Sequence, residues 1–117
     1  MENTEGIPKT FHYSKQIDLK DTKITLHMFG VEFNNAIFVS VYDNEPKMGS
    51  FSQGYTIQGV GQTSVIFQGK HNQYADALTS LFAKKSGKLC YGSINISHDE
   101  GFSIGLLKEL IDQYSTS

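Results

Sequence analysis

A chain of 117 residues suffices for one hydrophobic core and excludes an organisation around two. Its formal net charge of -2 leaves no basic footprint, which argues against a nucleic acid or an anionic membrane as partner. The single cysteine, Cys90, cannot form an internal disulfide, no signal segment opens the chain and no apolar run approaches the roughly 20 residues that cross a bilayer, so a soluble protein of a reducing intracellular compartment is expected.

Residues 1–14 carry Pro8 and no sustained period, and read as a flexible or loosely docked N-terminal arm ahead of a single domain over 15–117. Ile7, Phe11 and Tyr13 leave open that this arm packs on something. A strand over 15–19 and a second over 23–33 follow, joined by a turn at Lys20, Asp21 and Thr22. In the second, Ile24, Leu26 and Met28 alternate with Lys23, Thr25 and His27, the period of a half-buried strand. Asn34 and Asn35 supply a corner, since asparagine tolerates the left-handed backbone region.

The sequence AIFVSVY from Ala36 to Tyr42 is the strongest strand, because branched and aromatic residues suit a pleated surface. A turn at residues 43–46 leads to a weaker strand over 48–57, broken by glycine. Residues 59–62 loosen the chain before a strand over 63–68. Asn72 is placed to cap a helix over 73–85, with Leu78, Leu81 and Phe82 on one face. Lys84 and Lys85 favour its negative C-terminal end, and Gly87 suits the left-handed residue that closes it. A strand over 88–96 comes next. Ser97 and Glu100 have capping-box spacing, and the last helix spans about 98–114 with Leu107, Leu110, Ile111 and Tyr114 as its apolar stripe. The succession predicts an α+β fold: a mainly antiparallel five- to six-stranded sheet with two helices packed on one face.

Ile37, Val39, Val41, Cys90, Ile94 and Ile96 form the natural floor under those helices. The opposite rows are apolar too: Phe38 and Tyr42 share one, Leu89 and Tyr91 another, and Phe29, Val31 and Phe33 add to them. An antiparallel sheet that faces water shows polar residues there, so this face is expected to be covered, by a protein partner or by the arm, unless its aromatics are simply exposed.

No constellation points to catalysis. Lys84-Lys85-Ser86-Gly87-Lys88 lacks the first glycine and the final hydroxyl of a phosphate loop, and its glycine ends a helix instead of opening one. Gly59-Val60-Gly61 reads as a turn. The four histidines, His12, His27, His71 and His98, have no ligand spacing. Adjacent Ser97, His98 and Asp99 cannot form a relay. Cys90 is a small hydrophobe of the core, and Asp43 and Glu45 read as solvated carboxylates. No enzyme, cofactor or metal is expected.

From Ala83 to Ile96 the chain resembles the proteasome assembly chaperone 4 family. The shared pattern is a helical leucine, then Ala83-Lys84-Lys85-Ser86-Gly87-Lys88, an aromatic at Tyr91, and Ser93 and Asn95 before Ile96. The upstream strands, AIFVSVY above all, fit the same order of elements. The resemblance implies a non-catalytic, cytoplasmic and also nuclear protein that forms a heterodimer with a chaperone 3 homologue. It further implies transient binding of proteasome α subunits, in the α5 region, during assembly of the 20S α-ring. The family's two partners associate through their sheets, which makes Phe38, Tyr42, Leu89 and Tyr91 the expected partner face; Lys84, Lys85 and Lys88 are candidates for an acidic client surface. A homodimer is the alternative when the partner is absent. The chain ends Ser115-Thr116-Ser117, so the C-terminal hydrophobic-Tyr-any docking signal of other proteasome chaperones is not expected. The competing reading is a dimerising scaffold of the longin or roadblock type, in which a helix usually stands between early strands.

Overall fold

The structure, a computed structural model, describes residues 6–18, 21–97 and 102–114. Six strands make one sheet: β1 (Lys9–Asp18), β2 (Lys23–Glu32), β3 (Ala36–Tyr42), β4 (Ser50–Ile57), β5 (Val60–Phe67) and β6 (Leu89–Asn95). Helix α1 (Asn72–Ser86) precedes β6, and α2 (Ile104–Gln113) follows it. The order across the sheet is β1-β2-β3-β6-β4-β5. β3 and β6 run parallel at the centre, and every other neighbouring pair is antiparallel. This is the expected α+β fold, with both helices late in the chain.

The core lies between the helices and one face of the sheet. Leu26, Met28, Ile37, Val39, Val41, Cys90 and Ile94 project from the strands, and Leu78, Phe82, Leu107, Leu110 and Ile111 meet them from the helices. Each such side chain, fully buried, contributes roughly 1.5–3 kcal/mol relative to exposure. Helix α1 sits close on the sheet because Gly54 of β4 and Gly92 of β6 lie beneath Thr79. A Cβ at Gly54 would overlap the Thr79 backbone, and one at Gly92 would come within 2.5 Å of Thr79 Cγ2. The buried Thr79 hydroxyl is satisfied within the helix, donating to Ala75 O at 2.9 Å.

Several boundaries differ from those expected. β1 begins at Lys9, so residues 9–14 belong to the sheet and not to an arm. Phe11, Tyr13 and Ile17 pack on the core in alternation with exposed His12, Ser14 and Gln16. Phe11 lies over Gly30, its cross-strand partner, and stacks on Phe82 with ring centroids 5.9 Å apart. α2 starts at Ile104, where the Ser103 hydroxyl accepts from Leu106 N–H at 3.3 Å. Residues 98–101, which include Glu100 of the expected capping box, lie outside the described residues, as does Lys20 of the first turn.

Asn72 does not cap α1. The cap position falls on His71, and the Asn72 side chain ties the preceding loop, accepting from Gly69 N–H at 2.8 Å and donating to Phe67 O at 3.3 Å. The β4–β5 turn is Gln58-Gly59, both at positive φ (52° and 80°), and Val60 already opens β5 opposite Ile57. Such a two-residue turn matches the twist of a hairpin. At the β2–β3 corner Phe33 N–H donates to Ala36 O at 2.8 Å, and neither Asn34 nor Asn35 uses the left-handed region. Gly87 closes α1 as expected, at φ 72° with its N–H on Ala83 O.

Candidate functional site

The strands alternate, so the sheet face away from the helices is set by register. Two adjoining rows cross that face. Val31, Phe38, Tyr91 and Gln53 are paired across β2, β3, β6 and β4; the next row holds Phe29, Ser40, Ser93 and Phe51. Phe51 stands between Phe38 and Tyr91 with centroid distances of 6.0 and 6.4 Å, inside the range in which aromatic rings attract. Phe38, Phe51 and Tyr91 remain only half-buried, on the sheet face away from both helices. Leu89 begins β6 on the same face, beside Ala36.

Sequence reasoning placed Phe38, Leu89 and Tyr91 on one face, and there they meet. Tyr42 shares the face but not the cluster: Ser40 and Ser93 intervene, and Tyr42 stacks instead on His27, centroids 5.1 Å apart. His27 in turn stacks on His12, and the ring nitrogens His12 Nε2 and His27 Nδ1 are hydrogen-bonded at 2.8 Å. Burial, and then the adjacent His12, hold His27 below the ordinary imidazole value. Phe51 was the residue missed. Its strand, interrupted by Gly49 and Gly54, carries weak local signal, and only the register with β6 brings its ring between Phe38 and Tyr91.

The lysine cluster divides. Lys88 turns inward: its Nζ donates to Glu32 Oε2 at 2.7 Å and to Phe33 O at 2.9 Å, so this lysine anchors the fold and is not part of an open basic surface. Lys84 and Lys85 line a groove of about 330 Å³ between α1 and α2. Its remaining walls are Leu81, Lys108, Ile111 and Asp112. Lys85 lies 3.6 Å from Asp112, while Lys84 and Lys108 are exposed, so the groove joins an apolar floor to net positive charge. Lys108 was not foreseen, because its place beside Lys84 depends on how α2 packs.

Other candidates prove structural. Glu32 is held below the ordinary carboxylate value: desolvation works to raise it, but hydrogen bonds from Lys88 and Tyr114 prevail. Burial, and secondarily Glu32, push the Tyr114 phenol upward. Burial raises the Cys90 thiol to about 12, which leaves it inert as a nucleophile. Asp43 is not solvated. It is buried, and its two oxygens accept Ser97 N–H at 2.9 and 2.8 Å. Glu45, by contrast, is exposed and pairs with Lys47. Among the described residues no three His, Cys, Asp or Glu side chains cluster as metal ligands, and no helix is long and apolar enough to cross a membrane.

No protein-family model matches the chain, and no curated protein matches it in sequence. Among solved structures, the crystal structure of a novel chaperone complex for yeast 20S proteasome assembly is similar. The match covers 89% of this chain and 94% of that chain, with a TM-score of 0.61 and 12% sequence identity. The likeness is one of fold.

Proposed function

We propose that this protein is a non-catalytic assembly chaperone that acts in 20S proteasome assembly by binding, not by chemistry. The observation that carries the reading is the Phe38–Phe51–Tyr91 cluster, apolar and half-buried on a sheet face that the protein's own helices leave open. A fold similar to that of a proteasome-assembly chaperone complex supports it. Exposed aromatic clusters of this kind mark docking sites, since aromatic rings desolvate a large area with few torsions to freeze.

In this reading the open face receives the sheet of a second chaperone, a homologue of assembly chaperone 3, to give a heterodimer. The groove of Lys84, Lys85 and Lys108 then contacts an acidic segment of an α subunit, in the α5 region, until the ring is complete. No covalent step, cofactor or metal is needed, and the work is done in the cytoplasm and nucleus. The late position of both helices favours this reading over a longin-type scaffold. Purification of the tagged full chain from its native cells tests it. The expected result is co-recovery of one chaperone of similar size and of proteasome α subunits; recovery of neither overturns the proposal.

A further inference from the structure

The two edges of the sheet are built differently. At one edge, β1 carries Lys9, His12, Lys15 and Asp18, and α2 leans over it: Lys15 pairs with Glu109 at 3.0 Å, and the Ser14 carbonyl accepts from Gln113 Nε2 at 3.4 Å. Charges and cover of this sort are what keep an edge strand from pairing with another chain. The opposite edge strand carries no charge, and α1 comes near it at Gly61, leaving Val65 to Phe67 exposed. From Met48 to Gly69 the sequence contains no Asp, Glu, Lys, Arg or His, and this uncharged stretch is the β4–β5 hairpin with its flanks.

β5 is the terminal strand, bonded on one side to β4; among the described residues nothing pairs with its other side. It contains no proline. Its large side chains are left in water: Val60 is 59% exposed, Val65 50%, Ile66 50% and Phe67 61%. Val65 pairs with Ser52, on the helix side, and Phe67 with Phe51, on the open side, with a register shift between them, so these two point to opposite faces of the sheet. A partner lying on one face would cover only half of this surface, whereas a strand added alongside would shield both halves and satisfy the outward backbone N–H and C=O groups.

We infer that β5 pairs antiparallel with β5 of a second copy of this chain, extending the sheet across a twofold axis. The absence of charge selects this occupant. Across a twofold axis residue i of one strand stands opposite residue j of the other and j opposite i, so a strand that carries no charge meets none in its copy, and the contact buries no charge without a partner. Val65, Ile66 and Phe67 then bury against their counterparts. The aromatic face of Phe38 and Tyr91 is left free, so the edge contact and the face contact are separate and can be made together.

Sedimentation of the purified full chain over a range of concentrations tests the inference. The wild type is expected to move from monomer to dimer as concentration rises, with hydrogen exchange at residues 60–67 slowing in the dimer. Val65→Lys is expected to abolish the dimer while leaving thermal unfolding of the dilute protein unchanged, because the side chain is already half in water. Phe38→Asp is expected to leave the dimer intact. A wild type that stays monomeric throughout, or a dimer that survives Val65→Lys and is lost in Phe38→Asp, overturns it. Either of those results leaves the chaperone reading standing, since that reading is tested by recovery of proteasome subunits.

Discussion

Lys88 Nζ lies 2.7 Å from Glu32 Oε2, and the same carboxylate accepts from Tyr114 OH at 2.9 Å through its other oxygen. One buried carboxylate thereby joins β2, the start of β6 and the end of α2. Removing one member leaves the others poorly solvated. Lys88→Met is expected to destabilise the fold by roughly 2–3 kcal/mol, the lower range for breaking an ion pair that is not fully buried. Tyr114→Phe, which removes a single hydrogen bond to a charged group, is expected to cost about 1.5 kcal/mol. Urea unfolding of the two variants measures both.

Because Glu32 sits below the ordinary carboxylate value of 4.5, the unfolded chain binds more protons there than the folded one. Its contribution is present above that pH and is lost as pH falls through the folded value. His27 acts in a separate window. Its folded value is below 6.5, so stability is retained above 6.5 and declines as the pH drops towards the folded value. His27→Gln is expected to flatten that decline and leave the more acidic one in place, as read from melting temperatures over a pH series.

Helix α1 can approach β4 and β6 only where no Cβ intervenes. Gly54→Ala and Gly92→Ala are each expected to lower stability by roughly 1–3 kcal/mol, the usual cost of overpacking. Gly54→Ala should be the worse, because the obstacle there is helix backbone, whereas at Gly92 it is the Thr79 methyl. Thr79→Ser should partly rescue Gly92→Ala and not Gly54→Ala, which calorimetry of the double variants would reveal.

Cys90 is expected to resist a thiol reagent in the native protein and to react at an ordinary rate once the chain is unfolded in urea. Its thiol is buried and pushed up to about 12, so almost none is thiolate at neutral pH. Labelling at the same rate in both states would contradict the placement of its side chain in the core.

The elements that the sequence shows plainly are those whose signal is local. AIFVSVY alternates without interruption, and Gly87 follows two lysines at the end of a helical stripe. The start of β1 was obscured because Lys15 stands in the inward row with Phe11, Tyr13 and Ile17. That lysine keeps its side chain partly exposed and pairs with Glu109 of α2 at 3.0 Å, a contact that no local window contains. The same holds for the site. Phe38 and Tyr91 were legible from alternation, whereas Phe51 joined them only through register, and the inward turn of Lys88 required Glu32 from a distant strand.

Binding of the chaperone partner to the full chain carrying Phe38→Asp, alone and with Tyr91→Asp, tests most directly the claim that the open aromatic face is a docking surface. Both side chains lie on the open face and outside the core cluster, so the account predicts that the variants remain folded while co-recovery of the partner is lost. Undiminished recovery by the folded double variant would contradict it.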